Sequence, residues 1–239
     1  MDNTSIIAGE TSFDIGTRVV LWNEDKGLSF YKKAMKYGAR KKTLTELQSI
    51  INCFVLHHAA SYTAKTTYNG LVGRGLSVNF IIDDDNINGV STIYQCLDIS
   101  DIGYSHKPLN DDGPGVEIAY QVEAIKYPNA YSELNKAKMG VQSHQIIEDT
   151  VHGMHLKVYA PSDPQVKAVA ALLWGFSELF PKIRSTFPRN EAGDILKTTI
   201  ANPTGFLGHL HITKEKIDPS GFPFQQVEEE VKARKTWGY

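Results

Sequence analysis

Residues 76–98 read "LSVNFIIDDDNINGVSTIYQCLD", and this stretch decides the fold. Two short runs rich in Val, Phe, Ile and Tyr flank a cluster of Asp, Asn and Gly, the pattern of two strands joined by a turn. Strands joined so closely pair antiparallel. The rest of the chain mixes strand and helix patterns, which indicates α/β or α+β, so the sheet should be mixed.

Working outward, "NCFVLHHAA" (52–60) is a short apolar run ending in two histidines. It reads as a buried strand with polar groups at its tip. "TLTELQSIINCF" begins a helix, because Thr43 and Glu46 have capping-box spacing and the apolar residues keep helical register. "GVEIAYQVEAI" (115–125) is a further strand. "SDPQVKAVAALLWGFSELF" is the clearest helix: Asp163 can cap it, Pro164 suits its first turn, and Val166, Val169, Leu173, Phe176 and Phe180 form one stripe. Residues 126–160 show no clean period and read as a surface excursion.

Composition sets the outer limits. The 239 residues are 41% hydrophobic and 22% charged, ordinary for a globular protein. A net charge of −2 offers no global field for nucleic acid or an acidic membrane surface. No apolar run reaches the roughly 18 residues of a membrane span, so no transmembrane segment is predicted. The first residues lack the basic start and apolar core of a secretory signal. Cys53 and Cys96 lie in apolar runs and are expected as buried thiols rather than a disulfide. The segment 26–42 carries seven Lys or Arg and no acid, which suits a solvated helix face or a contact with an anionic surface.

"GHLHITKEKIDPSG" (208–221) raises the question of chemistry. A catalytic zinc takes three protein ligands from His, Asp, Glu or Cys and keeps one position open. His57 and His58 end a strand, where rigid backbone can hold a ligand. Asp218 follows His209 across a turn, so both can reach one point. Spacing alone leaves open the other reading, a solvated charged loop with incidental histidines.

Five motifs in order, "FVLHHAA", "LSVNFIIDDD", "YQCLD", "GYSHKPLNDDGPGVEIAY" and "GHLHITKEKIDPSGFPF", resemble the zinc-dependent N-acetylmuramoyl-L-alanine amidases. That family includes amidase-type phage lysozymes, and peptidoglycan recognition proteins share its fold. The resemblance covers roughly 50–125 and 163–228. It implies an α/β single domain with a mixed central β-sheet flanked by helices, in which 1–45 is an N-terminal extension and 46–239 a catalytic domain with an insertion at about 126–160. Carried over residue by residue, it implies one Zn2+ held by His57, His209 and Asp218, with Glu117 and Lys216 catalytic and His106 and Asn110 near the substrate. His58 and His211 are left beside the site or at the surface. The implied reaction cleaves the amide between the lactyl group of N-acetylmuramic acid and L-alanine. Zinc lowers the pKa of a bound water from ~15.7 toward ~7.

The implied partner is peptidoglycan or a muropeptide. The expected route is synthesis in the cytoplasm and release to the cell wall through a holin-type pore or a dedicated machine. The sequence departs from the family at Val78-Asn79, where some relatives carry Tyr-His, and at Asp112-Gly113, where the usual pair is Asn-Ser. Two other readings stand beside the enzyme: a silent peptidoglycan-binding module of the same fold, and a structural phage or secretion component.

Overall fold

The computed structural model describes residues 2–32, 38–39 and 43–237. In chain order the strands and helices are β1 (Ser5–Ala8), β2 (Thr11–Asp14), β3 (Val19–Leu21), β4 (Gly38–Ala39), α1 (Leu44–Ile50), β5 (Cys53–His58), α2 (Ala64–Gly73), β6 (Phe80–Ile82) and β7 (Ile93–Gln95). Then follow β8 (Asp101–Ile102), β9 (Gly115–Ile118), α3 (Glu133–Met139), β10 (Ile146–Val151), β11 (Met154–Tyr159), α4 (Asp163–Leu179), β12 (Gly205–Gly208) and α5 (Phe224–Trp237). Six strands form the central sheet in the order β12-β5-β9-β6-β7-β3. All neighbours are parallel except β6 and β7, the pair read from residues 76–98. The sheet is therefore mixed, and the class is α/β. Cys53 and Cys96 are buried and form no disulfide.

Strand alternation gives the sheet two unlike faces. Phe54, Leu56, Phe80, Ile82, Val116 and Ile118 point into one large core with α4. Phe54 meets Phe176 of that helix edge-on, with ring centroids 4.7 Å apart. The intervening residues, His57, Ile81 and Glu117 among them, face the other way, toward α2. The register sets His57 opposite Glu117 and Glu117 opposite Ile81.

The stripe expected on α4 is buried, and so is most of the rest of the helix. Its outer side is covered by α5 and by the N-terminal hairpin β1–β2. Gly175 permits this cover, since a Cβ there would sit 2.2 Å from Ile15 Cγ2. A helix with no exposed polar face is a core helix. Its cap differs from the expectation at Asp163. Ser162 is the N-cap in extended backbone, and the Gln165 side chain accepts its N–H at 3.1 Å. Asp163 already lies in the first turn.

Two further segments carry more order than their sequence suggested. Residues 126–160 contain α3 and the six-residue antiparallel pair β10–β11. Within 1–45, β3 is the last strand of the central sheet. The buried Gln95 amide exchanges two hydrogen bonds with the Ile7 backbone, 2.8 and 2.7 Å, and so ties β1 to the sheet as a strand would. Residues 33–37 and 40–42 of the basic run 26–42 lie outside the described residues. No helix among the described residues is long and apolar enough to cross a membrane.

Candidate metal centre

Three parallel strands, β12, β5 and β9, end at one rim of the sheet, where open α/β sheets place their ligand crevices. Each delivers a side chain there. His57 belongs to the tip of β5, Glu117 lies beside it on β9, and His209 follows β12 directly. The chain then turns back and brings Asp218 against the same point. The Leu210 N–H donates to the Asp218 carbonyl at 2.8 Å and locks this return. Gly208 gives the room: a Cβ there would lie 2.7 Å from Pro219 Cδ.

Two imidazole nitrogens converge on one carboxylate oxygen. His57 Nδ1 is 2.9 Å and His209 Nδ1 3.2 Å from Asp218 Oδ2. The two rings meet edge to face at 4.6 Å. Their side chains are 3% and 7% exposed, and that of Asp218 14%, so water solvates none of them freely. Burial lowers the His57 pKa, outweighing its bond to Asp218, and keeps the ring neutral. Burial pushes the Asp218 carboxyl up, but the hydrogen bonds from His209 and His57 outweigh it and hold the carboxyl well below the usual carboxylate range. A neutral imidazole and an ionised carboxylate are the protonation states a metal ligand needs. The three donor atoms lie within 4.8 Å of one another. This N2O set fits Zn2+, which takes His and Asp donors and leaves a fourth position open.

A cleft of about 370 Å³ opens over the three residues. Glu117, Lys216 and His58 share its lining with Thr66, Thr67 and Arg74 from the α2 side. Glu117 is 8% exposed. Burial, reinforced by the Asp218 charge, raises its carboxyl to about 8 against the opposite pull of Arg74 and Lys216. A carboxyl poised there can both take and give a proton near neutral pH. Arg74 escaped the sequence reading. It caps the C-terminus of α2 in "VGRGL", and its only signal was a lone cation between two glycines.

The remaining histidines separate by their bonds. His211 is fully buried, not at the surface: Nδ1 accepts from the Gly208 N–H at 2.8 Å, and Nε2 donates to the Leu196 carbonyl at 2.7 Å. Both nitrogens are engaged away from Asp218, and burial pushes its pKa down to about 4. His58 turns Nε2 to Ser220 Oγ at 3.4 Å, while its Nδ1 is buried with no hydrogen-bond partner among the described residues. His106 donates from Nε2 to the Gly113 carbonyl at 3.3 Å and accepts from Ser105 Oγ at 2.8 Å. Asn110 Oδ1 accepts the N–H groups of Ser105 and His106 at 3.2 and 2.9 Å. His106 and Asn110 thus brace their own loop, and they line a depression of about 780 Å³ that adjoins the cleft through Arg74, Ser105, His209 and Lys216.

No protein-family model and no curated protein matches the chain. Among solved structures, it is similar to AmpDH3 from Pseudomonas aeruginosa in complex with anhydromuramic pentapeptide, at 15% identity and a TM-score of 0.47 over 75% of this chain and 59% of that one. The chain therefore spans 59% of the length of that relative. It is similar to the N-acetylmuramoyl-L-alanine amidase LysC from Clostridium intestinale at 12% identity and a TM-score of 0.44, covering 90% and 98% of the two chains. It is also similar to the ectodomain complex of peptidoglycan recognition proteins LCa and LCx bound to tracheal cytotoxin, at 13% identity and a TM-score of 0.39, covering 92% and 96%. The solved structures that this fold resembles include N-acetylmuramoyl-L-alanine amidases and peptidoglycan recognition proteins.

Proposed function

We propose that the chain is a peptidoglycan amidase that hydrolyses the bond between the lactyl group of N-acetylmuramic acid and L-alanine, with one Zn2+ held by His57, His209 and Asp218. The observation that carries this reading is the convergence of two buried Nδ1 atoms on one Asp218 oxygen, in a cleft that Glu117 and Lys216 also line. The five ordered sequence motifs support the substrate class.

The residues then divide the work. Zinc, when bound, acidifies a water and polarises the scissile carbonyl. Glu117 accepts a proton at its carboxylate and returns it to the leaving amine. Lys216 offers its ammonium to the oxyanion that develops on the carbonyl. His106 and Asn110 shape the wall that receives the rest of the substrate.

The test combines metal analysis with mass spectrometry of products from defined muropeptides. One zinc per chain and free stem peptides beginning in L-alanine, beside intact glycan, are the expected result. Cuts confined to the glycan or to peptide cross-links sink the reading. Binding without turnover replaces it with the silent module.

A further inference from the structure

The β10–β11 hairpin lies in the part of the chain that the family motifs do not cover, and it reaches the metal-centre loop at both ends. At its tip, Nε2–H of His152 donates to the Lys216 carbonyl at 2.9 Å. Three residues earlier, Asp149 Oδ2 accepts the Gly221 N–H at 2.7 Å. Between these two grips lie Lys216 and Asp218. Beside the second grip, Val158 closes on Gly221, where a Cβ would lie 2.8 Å from Val158 Cγ2.

The hairpin is itself anchored. The His152 N–H donates to the Lys197 carbonyl at 2.9 Å, and the Lys197 ammonium pairs with the buried Asp149 carboxylate. At its base, the His144 ring bridges the Ala160 carbonyl at 2.7 Å and Asp84 Oδ2 at 2.8 Å, with both side chains fully buried. Asp84 follows β6, so the hairpin is tied to the central sheet at one end and to residues 197–198 at the other. His152 also holds a left-handed backbone, φ 51°, a conformation uncommon for a residue with a side chain. The ring's bonds to Lys216 and Thr198 and the backbone bond to Lys197 fix the residue in that turn.

The geometry points to the hairpin as a clamp on residues 216–221, with His152 as a positioning residue for Lys216 and Asp218. This rests on the reading of Asp218 as a metal ligand and Lys216 as the oxyanion partner. None of the hairpin's residues lines the cleft over the three candidate ligands. It sets how firmly the returning loop holds its carboxylate against His57 and His209.

The test uses His152→Gly, which keeps the left-handed turn and removes the donor, and His152→Gln, whose amide reaches about as far as Nε2. Zinc affinity by chelator competition and the absorption spectrum of the cobalt-loaded protein are read for each. The expected result is about tenfold weaker zinc binding and an altered cobalt spectrum in His152→Gly, the scale of losing an outer support of a metal ligand, with recovery in His152→Gln. Should His152→Gly fail to fold, His152→Asn serves in its place, since Asn tolerates the turn but is too short to reach Lys216. Parental affinity and spectrum in the donor-less variant overturn the clamp. If the parent binds no zinc, the metal reading falls separately. Amide exchange over residues 216–221 then decides the clamp: faster exchange in the donor-less variant supports it, and unchanged exchange overturns it.

Discussion

Glu117 carries a conflict that can be measured. Its folded-state pKa, raised by burial to about 8, stands above the ordinary glutamate value of 4.5, so between those values the folded chain keeps a proton that the unfolded chain has released. Stability from this group is whole below about 4.5 and is lost as pH rises toward 8. In metal-free protein, Glu117→Gln should flatten the decline of melting temperature between pH 5 and pH 8 relative to the parent; equal slopes would show that the carboxyl is not raised. With zinc bound, the same variant should keep its metal and its KM while turnover drops by ~10²-fold, the scale for removing a positioned general base. The histidines give a second contrast. His57→Ala should lose zinc. His211→Ala should keep zinc yet lose about 2 kcal/mol or more in denaturant titrations, because it leaves the Gly208 N–H and the Leu196 carbonyl without their partner. Stoichiometric zinc in His57→Ala would remove that residue from the site.

Among the elements, β12 and the turn after it depend on one missing side chain. Gly208→Ala places a methyl where Pro219 Cδ already lies, 2.7 Å away, so the Asp218–Pro219 segment must shift. The expected outcome is zinc affinity at least ~10-fold weaker, read by chelator competition, with far-ultraviolet circular dichroism unchanged; parental affinity would show that Asp218 does not depend on this approach. The same scale explains what the sequence revealed. The pair β6–β7 was legible because two runs rich in Val, Phe, Ile and Tyr flank an Asp/Asn/Gly turn, and the helix α4 because its apolar stripe keeps the 3.6 period. The β10–β11 hairpin was not, because its inward positions include the charged Asp149, while Ile146 and Met154 face out at 43% and 45% exposure. An inward acid and outward aliphatics erase the alternation. The true cap of α4 did have a signal: Ser162 and Gln165 carry capping-box spacing, which Asp163 obscured.

For the whole molecule, the gathering of His57, His209 and Asp218 was legible only through motif order, since no local spacing joins residues 161 positions apart. Arg74 and the grip of His152 stayed hidden because tertiary contact alone makes them relevant. The basic run 26–42 belongs to this scale too. If it meets an anionic wall, binding of the protein to whole sacculi should weaken with salt, and neutralising Lys32, Lys33, Lys36, Arg40, Lys41 and Lys42 should remove most of that dependence. Equal binding by parent and variant at low and high salt would leave the run as a solvated surface. The order of the sheet has one more consequence. The strand that precedes His209 is the last to be made, and it seats beside β5 at the sheet's outer edge. A ribosome-bound chain owns His57 long before it owns His209 or Asp218, so a partly synthesised protein carries a strand tip with no centre. Whatever chemistry the centre performs is withheld from the nascent chain until β12 and the turn after it have been made.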